Sequence, residues 1–245
     1  MTPSSPSETQ APPKDHRPFV TGSWGLEDHP AYGDEAVVAA VTEWLLQQGR
    51  TVFQTFLLDP DERRHSAMVL QRLHAPHRAR VISLGCGVGG MEAYWCEERP
   101  DIEVTLVNQS MAQLARCVCP GARVLADMRD VDSLPAAEGV DGYDIAVLGY
   151  SLHHCDDVAG MVEAARSLLV PGGTLLVLDV VDGSAAYHDV VHYRTPRSFE
   201  LATAGLVRLD YGMTWHCQPA EVITEAVHRL IERDSLRPSM WVGMA

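Results

Sequence analysis

Apolar positions along this chain of 245 residues follow two rhythms. Short apolar-biased runs at 81–84, 103–107, 122–126, 143–149 and 174–181 predict buried strands. Helical spacing falls between and after them, at 91–98, 110–117, 158–169 and 196–204. A strand at 206–210, a helix at 219–232 and a short last strand at 240–244 complete the pattern. Strands alternating with helices predict an α/β fold, with a mostly parallel sheet covered on both faces. Pro171-Gly172-Gly173 reads as a tight turn between a helix and a strand.

Two helical segments come first. The segment 34–48 carries Val37, Val38, Val41, Trp44 and Leu45 on one broad face and stops at Gly49. The next has Asp59 as N-cap, Pro60 at the first helical position and Glu62 completing a capping box. Its stripe is Met68, Val69, Leu70 and Leu73, and Pro76 ends it. The expected organisation is a disordered tail at 1–18, with five prolines before Phe19, then a helical addition at 19–78 on the substrate side and a catalytic core at 79–245.

Composition narrows the partners. A hydrophobic fraction of 46% supports a substantial core, and a net charge of −14 argues against nucleic acid. The six cysteines, at 86, 96, 117, 119, 155 and 217, lack zinc spacing, so no metal-ligand set is expected. Free thiols fit a reducing cytoplasm. No apolar run approaches the ~18 residues that span a membrane, and the N-terminus lacks the apolar core of a signal peptide. A homodimer is compatible with all of this.

The chemistry concentrates at Val81-Ile-Ser-Leu-Gly-Cys-Gly-Val-Gly-Gly90. A glycine-rich turn between strand and helix lets a ligand lie against bare backbone, with the helix N–H groups facing it. Gly85, Gly87 and Gly89 give one nucleotide-type spacing, while Gly85, Gly87 and Gly90 also fit the dinucleotide pattern. In an open parallel sheet, ligands lie beyond the carboxyl ends of the strands. The residues there are Gly85-Cys86-Gly87, Asn108-Gln109-Ser110, Asp127-Met128, Gly149-Tyr150 followed by His153-His154, and Asp179 to Asp182.

Over about residues 80–182 this set resembles the class I S-adenosylmethionine-dependent methyltransferases. The resemblance implies a three-layer Rossmann-like sheet with an antiparallel last strand, and S-adenosylmethionine as cofactor. It places Gly85, Cys86 and Gly87 against the methionine part, with Asn108 and Gln109 at the ribose. Asp127 would accept from the adenine amino group, with the Met128 amide facing the ring and Gly149 lining the site. Two positions depart from the family. Ser83 stands where an acid is common before the first glycine, and Asn108 where an acid often grips the ribose hydroxyls.

Ser110-Met-Ala-Gln113 is similar to a pattern in methyltransferases acting on alkenes. The segment His192-Tyr193-Arg194 to Pro196-Arg197-Ser198-Phe199 resembles the isoprenyl diphosphate C-methyltransferases. That resemblance implies methylation of an alkene carbon of a small isoprenoid diphosphate through a carbocation. His188, His192, Arg194, Arg197 and Trp215 would then surround the acceptor, and Mg²⁺ would accompany its diphosphate. His153, His154, Tyr150 and Tyr193 are the candidates for base and cation contact, since no acid occupies Leu148-Gly149-Tyr150 where the geranyl diphosphate enzymes carry a glutamate. The competing readings are a small-molecule O- or N-methyltransferase, with His153 or His154 deprotonating the acceptor, and a non-catalytic cofactor-binding subunit.

Overall fold

The computed structural model describes residues 35–47, 49, 51, 56–57, 62–131, 134, 142–152, 155, 157–182, 205–209, 216–217 and 236–244. Its elements in chain order are α1 (Glu35–Gln47), β1 (Phe56–Leu57), α2 (Glu62–Leu73), β2 (Arg80–Leu84), α3 (Gly90–Glu98), β3 (Glu103–Asn108) and α4 (Met111–Ala115). There follow β4 (Ala122–Leu125), β5 (Tyr143–Gly149), α5 (Val158–Ser167), β6 (Leu169–Asp182), β7 (Val207–Leu209), β8 (His216–Cys217) and β9 (Leu236–Met244). The tail at 1–18, the caps Asp59 and Pro60, and the helices expected at 196–204 and 219–232 lie outside the described residues.

Seven strands form one sheet in the order β4-β3-β2-β5-β6-β9-β7. The first five run parallel, and β9 pairs antiparallel with both β6 and β7. The period-two alternation of the strands sorts their side chains onto two faces. Ile82, Leu84, Ala146, Leu148, Leu175, Val177 and Trp241 join Val158, Met161, Val162 and Ala165 of α5 in one core. Val81, Ile145, Val147, Leu176, Leu178 and Met240 join Val69 and Leu73 of α2 and Met91 and Trp95 of α3 in the other. The result is the expected three-layer Rossmann-like arrangement. Strand order reverses at β2, with β3 on one side and β5 on the other, the kind of switch point at whose carboxyl ends open α/β sheets take ligands.

Three features differ from the sequence expectation. Residues Pro171–Gly173 are not a turn ahead of the strand but an irregularity within it. The Tyr143 N–H donates to Leu168 O at 2.8 Å, so the chain is already beside β5 when Gly172 takes φ 79° and shifts the register. The last strand begins at Leu236, not 240, and pairs with β6 as far as Asp182. Pro238 obscured it. β7 accompanies β9 only at Met240–Val242, so the proline stands where the ladder is one-sided among the described residues. Finally, β1 and β8 form an unanticipated two-stranded ladder that ties the N-terminal addition to a late segment.

Candidate functional site

The glycines of the β2–α3 turn serve different purposes. Gly85 (φ 75°) packs so closely that a Cβ would lie 2.6 Å from the Ser151 Cβ and 3.2 Å from the Met128 Sδ. A Cβ on Gly90 would lie 2.2 Å from the Thr51 carbonyl oxygen, so its small size serves contact with the N-terminal addition. Gly87 (φ 60°) is different, with no described atom within 4 Å of the site of its missing Cβ. Bare left-handed backbone facing open space is what a closely approaching ligand requires. The turn is pinned from below, where the N–H groups of Gly85 and Cys86 both donate to Val107 O, at 2.9 and 3.1 Å. Cys86 is half-buried, and burial first, then Glu92, pushes its thiol well above the ordinary range.

At the end of β3, Asn108 turns inward. Its amide nitrogen donates to Gly87 O at 3.0 Å and to Gln113 Oε1 at 2.8 Å, while its oxygen accepts from the Ser110 N–H at 2.9 Å. Both amide hydrogens are thereby committed to holding the glycine turn and α4. Ser110 is the N-cap of α4, accepting from the Gln113 N–H at 3.2 Å. The Ser-x-x-Gln pattern therefore has a local folding role, with both side chains buried. Gln109 is half-buried beside them.

Asp127 follows β4 and is half-buried, its carboxylate gripped by the Arg129 guanidinium, with the Arg129 N–H adding a bond at 2.9 Å. That hydrogen bonding holds Asp127 below the usual carboxylate range. Met128 is buried in the core under Gly85. Gly149 ends β5, and a Cβ there would meet Met91 Cε at 3.2 Å. The next residue, Tyr150, takes φ 58°, and its N–H donates to Leu178 O at 2.7 Å. Ser151 then reaches back to donate to Leu84 O at 2.8 Å. Of the acceptor-side candidates only Tyr150 is described; His153, His154, His188, His192, Tyr193, Arg194, Arg197 and Trp215 lie outside the described residues. Asp157 is the N-cap of α5, bonded to the Gly160 N–H at 2.8 Å.

Three residues near this rim escaped the sequence reading. Glu92, in the first turn of α3, accepts from Ser83 Oγ at 2.6 Å and is fully buried. It restores a carboxyl group beside the position where Ser83 lacks one. Burial drives its pKa up, opposed by the Ser83 hydroxyl. Glu35 of α1 accepts from Ser110 Oγ at 3.2 Å and from the Ala112 N–H at 3.0 Å, which brings an acid to the end of β3 where Asn108 stands. His65 of α2 is 3% exposed and lies with Nε2 3.3 Å from the Tyr150 hydroxyl. The signal for His65 was available, because Glu62, His65, Ser66, Val69 and Leu73 share one buried helical face.

Residues 82–175 match the family model described as a methyltransferase domain. The chain is 30% identical over 114 residues to malonyl-[acyl-carrier protein] O-methyltransferase of Enterobacter lignolyticus strain SCF1, covering 46% of this chain and 44% of that protein. It thus spans less than half the length of that curated relative. Among solved structures, the [4+2]-cyclase SpnF superposes with a TM-score of 0.65 at 16% identity, covering 93% of this chain and 97% of that one. Phosphoethanolamine N-methyltransferase 2 of Haemonchus contortus, in complex with S-adenosyl-L-methionine, gives 0.63 at 14% identity, covering 91% and 60%. The family match thus covers residues 82–175, and the likeness to these solved structures is one of fold.

Proposed function

We propose that this chain binds S-adenosylmethionine along the carboxyl rim of its sheet and directs methyl transfer to an oxygen of a small molecule. The observation that carries this reading is the Gly87 turn, bare, left-handed and open above, at the point where strand order reverses. Gly85, Cys86 and Gly87 would receive the methionine part through backbone, and Glu35 or Gln109 would approach the ribose in place of the committed Asn108. Asp127 would accept from the adenine amino group while keeping Arg129. Since the sulfonium is already activated, the protein's contribution is chiefly to position the acceptor in line with the methyl group. The oxygen acceptor draws support from the relative named an O-methyltransferase.

A second reading is retained for one observation, the segment His192 to Phe199, with its likeness to enzymes that methylate isoprenoid diphosphates. There the arginines at 194 and 197 would hold the diphosphate, with Mg²⁺.

Calorimetry with S-adenosylmethionine and S-adenosylhomocysteine tests the cofactor site. Both nucleosides should bind the full chain, and Asp127→Ala should weaken binding about tenfold, near 1.4 kcal/mol. Absence of heat from both would sink the proposal. Labelled cofactor offered with hydroxylated small molecules and with prenyl diphosphates, with and without Mg²⁺, then separates the two acceptor classes.

A further inference from the structure

The chain that leaves β5 does something unusual. Gly149 could take a left-handed conformation freely, yet Tyr150 is the residue with positive φ. A bulky side chain held in that region is strained, and persists only where its surroundings fix it. Here they do so at both ends. The Tyr150 N–H is tied to Leu178 O at 2.7 Å, and its hydroxyl lies 3.3 Å from Nε2 of the buried His65. The two rings are 6.2 Å apart, tilted at 43°.

The position of the pair matters. β5 lies beside β2 in register, Ser83 opposite Val147, so Gly149 is level with Gly85. Tyr150 therefore stands one residue past the rim, next to the glycine turn. Ser151 packs directly beneath Gly85. α2 precedes β2 immediately, and His65 sits in its first half. The pair thus bridges the N-terminal addition and the strand beside the cofactor turn.

We propose that Tyr150 and His65 form a proton relay for the methyl acceptor; this rests on the oxygen-acceptor reading above. Tyr150 is the catalytic residue, because its hydroxyl would touch the acceptor. His65 acts through it and positions it. As the acceptor oxygen forms its bond to the methyl carbon, the carbon–sulfur bond breaks and its electron pair remains on sulfur. The acceptor's O–H proton passes to Tyr150 Oη, and the tyrosine's own proton passes to His65 Nε2. The positive charge lost at sulfur reappears on the imidazole, which later releases its proton to solvent by the same path. The exit strain at Tyr150 is what aims the hydroxyl at this junction.

The test needs no identified acceptor. The His65 imidazole is titrated by NMR in the full chain saturated with S-adenosylmethionine, and again with S-adenosylhomocysteine. Its resonance is assigned by its loss in His65→Gln. The two nucleosides differ by one positive charge, at the sulfur beside the transferred methyl. Ionisable side chains on the packed elements include Glu62, Arg63, Arg64 and Arg72 on α2, Glu92, Tyr94, Cys96, Glu97 and Glu98 on α3, Asp144 on β5 and Asp179 on β6. They are common to both complexes, so the difference isolates the sulfonium.

A relay facing the methyl group should titrate lower in the sulfonium complex, by about half a pH unit or more. Equal midpoints, or an imidazole that does not titrate between about pH 5 and 9, would overturn the relay while leaving the cofactor site standing. A His65 that only packs against Tyr150, remote from the transferred methyl, would not sense the sulfur charge. If calorimetry detects neither nucleoside, the methyltransferase reading itself fails and the relay falls with it.

Discussion

Two glycines two residues apart carry opposite duties, which substitution can separate. An alanine at Gly85 must displace Ser151, whose Cβ would be 2.6 Å away, and must hold φ 75°. Gly85→Ala should lower stability by about 2–4 kcal/mol in denaturant unfolding, combining overpacking with backbone strain. Gly87→Ala meets no described atom within 4 Å and bears only the left-handed penalty. It should lose about 1 kcal/mol of stability, yet weaken S-adenosylmethionine binding at least tenfold by calorimetry, because the methyl occupies the space proposed for the ligand. Glu92 gives a pH signature at the same scale. Its folded pKa is raised by burial, so the stability linked to its proton is full below about pH 4.5 and falls as pH rises through the folded value. Glu92→Gln should remove that loss, making the variant gain on the natural chain as pH rises above about 4.5 in parallel urea titrations.

Between elements, polar side chains do the fastening that apolar patterning cannot. α1 meets α4 through Glu35 on Ser110 and Ala112, and through Glu43 with Arg116 at 3.1 Å. The second pair is largely solvated and contributes little. Glu35 is the stronger tie, since it also satisfies an N–H group in the first turn of α4. Glu35→Ala should speed hydrogen exchange along α1, and cofactor affinity should fall with it. Asn108 fastens the glycine turn to α4 in the same way. Strand lengths at this scale were only partly legible, because Pro238 and the Pro171–Gly173 stretch read as breakers. The first stands where pairing is one-sided, and the second is absorbed as a register shift.

For the whole molecule, closure depends on β9, the strand among those described that runs against the other six of the large sheet. Trp241 (1% exposed) and Met240 (0%) face the two opposite cores, so this strand seals both layers. Trp241→Ala should lower stability by about 3–5 kcal/mol and the melting temperature by several degrees. No helix among the described residues is long and apolar enough to cross a membrane.

The layer architecture and the rim were readable from residues alone, because periodicity is local and a parallel sheet delivers its strand ends to one edge. Gly87 and Asp127 were assigned to that rim in this way, as candidates. Which groups meet at that edge was not readable. Glu92 beneath Ser83, Glu35 over Ser110 and His65 against Tyr150 join positions 9, 75 and 85 residues apart. Only packing of α1, α2 and α3 on the folded sheet brings them within hydrogen-bond reach, and hydrogen bonds decide over about 3 Å what sequence spacing leaves open.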